Sequence, residues 1–175
     1  MKLLLSRFNI ILALALIMAL GCKTAEEKKK AKEASFLRFH IETNVDGTQH
    51  NAPVAIYRAS PILVGVERNA ALDEDFMDKA ELVTVDEFGN LAIKVTFTAA
   101  GTKRLDYVTS TYKGKRLAVH AKWTESRWLA APLITKRITN GVFIFTPDAS
   151  REECERIVSG LNNVIAKLKK PYTLI

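Results

Sequence analysis

The sequence is poor in the residues from which most catalytic and metal centres are built. It holds two cysteines and three histidines in 175 residues. Two cysteines allow at most one disulfide, and if Cys22 carries a lipid, as its surroundings suggest, Cys154 is the only thiol left and the core must hold by packing. The separations between His40, His50 and His120 match no local zinc pattern, and those side chains are expected to be exposed or partly satisfied on polar strand faces and a loop. There is no Gly-x-Ser-x-Gly elbow and no Gly-x-x-x-x-Gly-Lys-Ser/Thr loop. Nor does any apolar run approach the ~20 residues of a membrane-spanning helix. Basic residues outnumber acidic ones by 26 to 19, but they form no stripe interleaved with aromatics, which argues against nucleic acid. A catalytic role, a cofactor and a metal site are therefore not expected.

What is present begins with a leader. Lys2 and Arg7 precede the wholly apolar run Ile10 to Leu20. As a helix that run spans roughly 16 Å, about half a hydrocarbon core, as in a secretory signal peptide. It ends in Ala19-Leu20-Gly21-Cys22, which resembles the lipobox of bacterial lipoproteins, with Ala19 where the commonest form has Leu. The resemblance implies cleavage before Cys22 and acylation of that residue, palmitate being one such chain. Two or more chains anchor stably. Residues 1–21 are thus expected to be a lipoprotein signal peptide. Residues 22–34 form the lipidated Cys22 and a charged tether, with five Lys and three Glu in 23–34 and no large apolar residue. Residues 35–175 form one domain, whose net charge is +3 once leader and tether are subtracted from +7. The partners implied are a membrane, through the lipid, and a protein or extended polypeptide. The location implied is the bacterial envelope, facing the periplasm.

The domain alternates two periodicities. Leu37, Phe39 and Ile41 alternate with polar residues as in a half-buried strand. Val54 to Arg58 reads as a second strand closed by Pro61, and Ala70 to Lys79 as a short helix with Asp73-Glu74-Asp75 in its first turn. Glu81–Val85 and Leu91–Phe97 flank a turn and form a hairpin. Thr98 caps a helix running to about Tyr112 that ends at Lys113-Gly114. Leu117 to Trp123 and Trp128 to Leu133 form a second hairpin around Thr124–Arg127, and Asn140-Gly141 turns into a strand over Val142–Phe145. Ser150 and Glu153 fit a capping box for a helix whose stripe is Cys154, Ile157, Val158, Leu161, Ile165 and Leu168. Cys154 is expected in the core; Asp106 and Glu155 are expected on solvent faces without partners. The class is α+β, a mainly antiparallel sheet with two long helices packed on one face.

Several of these pieces, in this order, resemble the periplasmic head subdomain of SecD, a membrane subunit of bacterial protein export. Phe97-Thr98-Ala99-Ala100-Gly101 is similar to the family's strand end and Thr-x-x-Gly helix opening. Gly114-Lys115-Arg116-Leu117-Ala118-Val119 is similar to its Gly-Lys-x-Leu-Ala-Ile strand, and Ala131-Pro132-Leu133-Ile134 to its Ala-Pro-Val-Ile return. Ile138-Thr139-Asn140-Gly141, followed by Ile144, is similar to its Ile-x-Gly-Gly turn and next strand. Thr146 to Glu153 matches the entry to its last helix, and Pro61 to Gly65 an upstream piece more loosely. The resemblance covers about residues 60–168 and implies a head-like fold and a role in handling exported protein. It departs at Asn140, at the longer turn Thr124–Arg127, and in lacking SecD's transmembrane helices, whose proton-coupled role does not carry over.

Trp123 and Trp128 flank the polar turn of the second hairpin with Arg127 between them. Aromatics and Arg are favoured interface residues, so these three are the candidate partner-binding residues; packing of one or both tryptophans in the core is the competing reading. An exposed sheet edge is a further way to accept an extended peptide. The leading expectation is a non-catalytic, lipid-anchored protein-binding module. The alternatives are a scaffold docking on one folded envelope partner and, as a minor one, a small-molecule-binding domain.

Overall fold

A computed structural model describes residues 33–86 and 89–170. The leader, Cys22 and most of the tether lie outside the described residues, as do Glu87 and Phe88 of the first hairpin turn. The fold is α+β. Its strands are β1 (Phe36–Ile41), β2 (Asn51–Ile56), β3 (Ile62–Glu67), β4 (Met77–Thr84), β5 (Leu91–Phe97), β6 (Leu117–Lys122), β7 (Ser126–Ala130) and β8 (Val142–Phe145). The helices are α1 (Ala99–Thr111) and α2 (Arg151–Leu168).

The strands divide into three antiparallel sheets, ordered β1-β6-β7, β2-β3 and β4-β5-β8. Pairing within hairpins is local, but β1 with β6 joins residues about eighty apart, Phe39 opposite Val119. The inward residues of β1, β5 and β6 (Leu37, Phe39, Ile41, Ile93, Val95, Leu117 and Val119) meet Leu105 and Val108 of α1 and Ile157 and Leu161 of α2 in one core. Phe39 sits near its centre, its ring 5.4 Å from Phe143 and 6.0 Å from Phe97. Burying each such side chain contributes about 1.5–3 kcal/mol. A second, smaller core lies on the other face of β6, where Ile56, Val64, Val66, Ala118 and Ala131 meet.

The helix ends follow their sequence signals. Thr98 caps α1, its side chain accepting from Gly101 N–H, and the Ser150–Glu153 capping box of α2 is complete. Gly114 at φ +87° and Gly141 at φ +68° occupy left-handed turn positions that favour glycine. Gly160 has another reason to lack a side chain, since a Cβ there would strike Ser35, 2.8 Å from its backbone nitrogen. The domain's first residues therefore lie against the middle of α2, where Asn163 Nδ2 also donates to Glu33 O at 2.9 Å.

Four elements differ from the sequence expectations. The helix expected over Ala70–Lys79 is a single 3-10 turn, Glu74–Phe76, because Met77 onward is drawn into β4 by pairing with β5. Tertiary strand pairing outweighs the local helical pattern. Strand β3 has no counterpart among the expected strands; its apolar run Ile62-Leu63-Val64 lacks alternation and becomes a strand by pairing with β2. The second hairpin turns more tightly than Thr124–Arg127, with Lys122 opposite Ser126 and Trp123 N–H donating to Glu125 O at 2.7 Å. Strand β7 accordingly starts at Ser126 and ends at Ala130, after which Leu133 continues only as a bridge to Arg116. Leu168 is half exposed, because the last turn of α2 runs past the core.

Candidate functional site

The tight hairpin places Trp123, Arg127 and Trp128 differently from a single exposed patch. Alternation along β7 sends Arg127 and Trp128 to opposite faces of the β1-β6-β7 sheet. Arg127 lies opposite Ala121 on the α2 side, with its guanidinium 5.2 Å from the Trp123 ring. Its Nη2 donates to Glu153 Oε1 at 3.0 Å, and its Nε lies 3.3 Å from Glu125 Oε2. Arg58, from the β2–β3 loop, donates to the second Glu153 oxygen at 3.1 Å. Glu153 also accepts from Ser150 N–H at 2.7 Å. Burial acts to raise the Glu153 pKa, but the Ser150 hydrogen bond and the two arginines outweigh it and hold the carboxyl below its usual range. Glu153 thus joins the β2–β3 loop, β7 and the start of α2.

Trp128 belongs to the other face. It lies opposite His120 with ring centroids 5.0 Å apart, and is 5.0 Å from His40. Its indole packs against the smaller core. Of the two expected states, exposed or partly satisfied, His40 takes the second: it is 8% exposed, and its Nδ1 donates to Glu67 O at 2.8 Å. His120 Nε2 is 2.9 Å from Ser126 Oγ. The cause is the second core, which buries the nominally polar face of β1 and β6. Burial pushes both imidazole pKa values down; Glu67's carbonyl acts against it at His40, and the cations of Arg38 and Lys122 add to it at His120. Beside them Phe36, Arg38, His120 and Lys122 line a shallow cavity of about 190 Å³.

Both tryptophans are therefore partly buried against a core and partly open, with Trp123 packed on the main core. Asp106, expected to lack a partner, forms a bidentate pair with Arg137, Oδ2 to Nη2 at 2.7 Å. Glu155 lies 4.0 Å from Arg151. Cys154 is buried, its thiol pushed up to about 11 chiefly by burial. Among the described residues, no three His, Cys, Asp or Glu side chains are placed to hold a metal ion. None of their helices is long and apolar enough to cross a membrane.

The sequence from the start of β2 into α2, residues 51–163, matches a known family model, the SecDF P1 head subdomain. The chain belongs to that family. The SecDF P1 head match takes in both helices' capping residues, the Trp123–Trp128 hairpin and β8, but starts after β1. Protein translocase subunit SecDF of Thermus thermophilus is 36% identical over 72 residues, covering 41% of this chain. The chain spans only 9% of that relative's length. A solved structure of SecDF, described as a membrane component that enhances protein export, superposes with a TM-score of 0.56 at 22% identity, covering 82% of this chain and 70% of that one. A second SecDF structure, in a super-membrane-facing form, gives a TM-score of 0.57 at 22% identity over 81% of this chain and 21% of its own. These superpositions show a common SecDF head fold.

Two features escaped sequence reasoning, the Arg58–Glu153–Arg127 junction and the His40–Trp128–His120 cluster. Their members come from elements up to 95 residues apart, and no local periodicity carries such contacts.

Proposed function

We propose that the protein is a non-catalytic, lipid-anchored periplasmic module that binds protein, contacting exported polypeptide or an envelope complex engaged in translocation. The observation that carries this reading is the match to the SecDF P1 head subdomain across most of the domain. A relative described as enhancing protein export makes protein the natural class of partner. The leader, with its lipobox-like end at Cys22, supplies the attachment that SecDF obtains from being a membrane component. The hairpin offers two partly open indoles, Trp123 and Trp128, on opposite faces of one sheet, with Arg127 stacked on the first.

The test is photocrosslinking in cells from positions 123 and 128. Polypeptide in transit or a translocation component is expected among the adducts. Capture of a single stoichiometric folded envelope protein favours the docking-scaffold reading instead. Adducts with lipid alone would sink both.

A further inference from the structure

Most sheet edges of this fold are blunted by a specific device. On β4, the Asn162 carboxamide from α2 clips Ala80, accepting from its N–H and donating to its C=O, both at 2.9 Å. Lys169 Nζ takes the neighbouring Asp78 O at 2.8 Å. On β1, Leu72 bridges Phe39. Strand β2 carries Pro53, and Leu129 O of β7 accepts from Asp148 N–H at 2.8 Å. Proteins manage edges in this way because unpaired N–H and C=O groups recruit other strands.

Strand β8 is different. It is the outer strand of β4-β5-β8. Phe97 N–H donates to Gly141 O at 2.9 Å, which fixes the antiparallel alternation: Phe143 and Phe145 bond inward to β5, while Val142 and Ile144 direct their backbone groups outward. The Val142 N–H is taken by Asn140 Oδ1 at 3.1 Å. The Ile144 N–H and C=O and the Val142 C=O have no partner among the described residues. The neighbouring strap, residues 135–140 leading into β8, does not cover them. It is held to α1 instead, by Thr109 Oγ1 accepting from Ile138 N–H at 2.9 Å and by the Arg137–Asp106 pair. What remains is an open groove of about 470 Å³ between strap and strand, lined by Lys136, Ile138, Asn140, Val142 and Ile144. Ile144 is 50% exposed.

We infer that the outer edge of β8 is a strand-addition site for an extended polypeptide. This rests on the protein-binding reading above and names a site for it away from Trp123 and Trp128. The incoming strand pairs its backbone with Ile144 and Val142 and lays an apolar side chain beside Ile144, in the manner of other edge-binding peptides. Charge selects the occupant. Lys136 stands at the lip without an ion-pair partner among the described residues, which favours a segment bearing a carboxylate. It also disfavours a second copy, because two-fold pairing of β8 with itself brings like charges together.

The probe is a fluorescein-labelled peptide, Gly-Ser-Thr-Val-Glu-Val-Thr-Gly-Ser, titrated into the full-length protein by fluorescence anisotropy. Ile144→Pro removes only an outward N–H, a position where a strand tolerates proline. It is expected to weaken binding by up to about tenfold, as loss of one pairing hydrogen bond implies, with the far-ultraviolet dichroism retained. Lys136→Glu is expected to weaken it about two- to fivefold. The peptide N-methylated on its pairing edge is expected not to bind, which keeps the test decisive even if Ile144→Pro fails to fold. Equal binding of the N-methylated peptide, no binding of either peptide, or a concentration-dependent dimer abolished by Lys136→Glu or Ile144→Pro would overturn the inference. Crosslinking of polypeptide at 123 or 128 in cells alongside such a result leaves the broader reading standing.

Discussion

Single residues in this domain are set by neighbours far away in sequence. Gly160 is tied to Ser35, and Gly160→Ala should lower the unfolding free energy by about 1–3 kcal/mol, the usual cost of forcing extra volume into a packed site; urea denaturation measures it. His40 and His120 make a pH prediction. Burial lowers both pKa values below 6.5, so between the folded value and 6.5 the unfolded chain binds more protons than the native one. Stability held above pH 6.5 is therefore lost as pH falls below it. Glu74 titrates in the opposite sense, since burial raises its pKa despite the nearby Arg38. The comparison is consequently between the protein and His120→Asn. The urea midpoint should drop less from pH 7.5 to 5.5 in the variant.

At the scale of elements, the decisive relation is between α2 and β4. The stripe of α2 supplies packing, while Asn162 on its flank serves as a surrogate strand for Ala80. Asn162→Ala removes both hydrogen bonds and leaves a buried-edge N–H and C=O unsatisfied, at a cost of about 1–3 kcal/mol. It also opens a second sheet edge, so light scattering on warming should show earlier self-association than in a packing-neutral variant of equal stability. The expected helix over Ala70–Lys79 belongs to the same relation. Its acids find other uses: Asp73 caps the 3-10 turn and Glu74 is buried 3.6 Å from Arg38 Nε. Helical propensity over ten residues is worth less than pairing and burying Met77 and Ala80.

For the whole molecule, the proposed function rests on attachment to a membrane. Anchoring through Cys22 is the proposal, and Cys22→Ser tests it. Metabolic labelling with radioactive palmitate should be lost, and the protein should be released or misprocessed. Unchanged membrane retention with no label on the unaltered protein would refute the anchor.

Local patterns carried much of this. Both helix caps, the stripe Cys154-Ile157-Leu161-Ile165, the alternation in β1, β5 and β6, and the glycine turns at Gly114 and Gly141 follow from backbone sterics and the periods 2 and 3.6, which operate within a few residues. The head-like fold was indicated by a different signal, the resemblance of segments such as Phe97–Gly101, Gly114–Val119 and Ala131–Ile134 to the SecD head. Tertiary structure decided the rest. It divided the strands into three sheets, made β3 a strand, buried the second face of β6 and with it His40, separated Trp128 from Arg127, and closed the β4 edge while leaving β8 open. Each depends on which element lies against which, and such contacts are fixed by the burial and hydrogen-bond demands of the assembled chain. A window of sequence contains only one side of them.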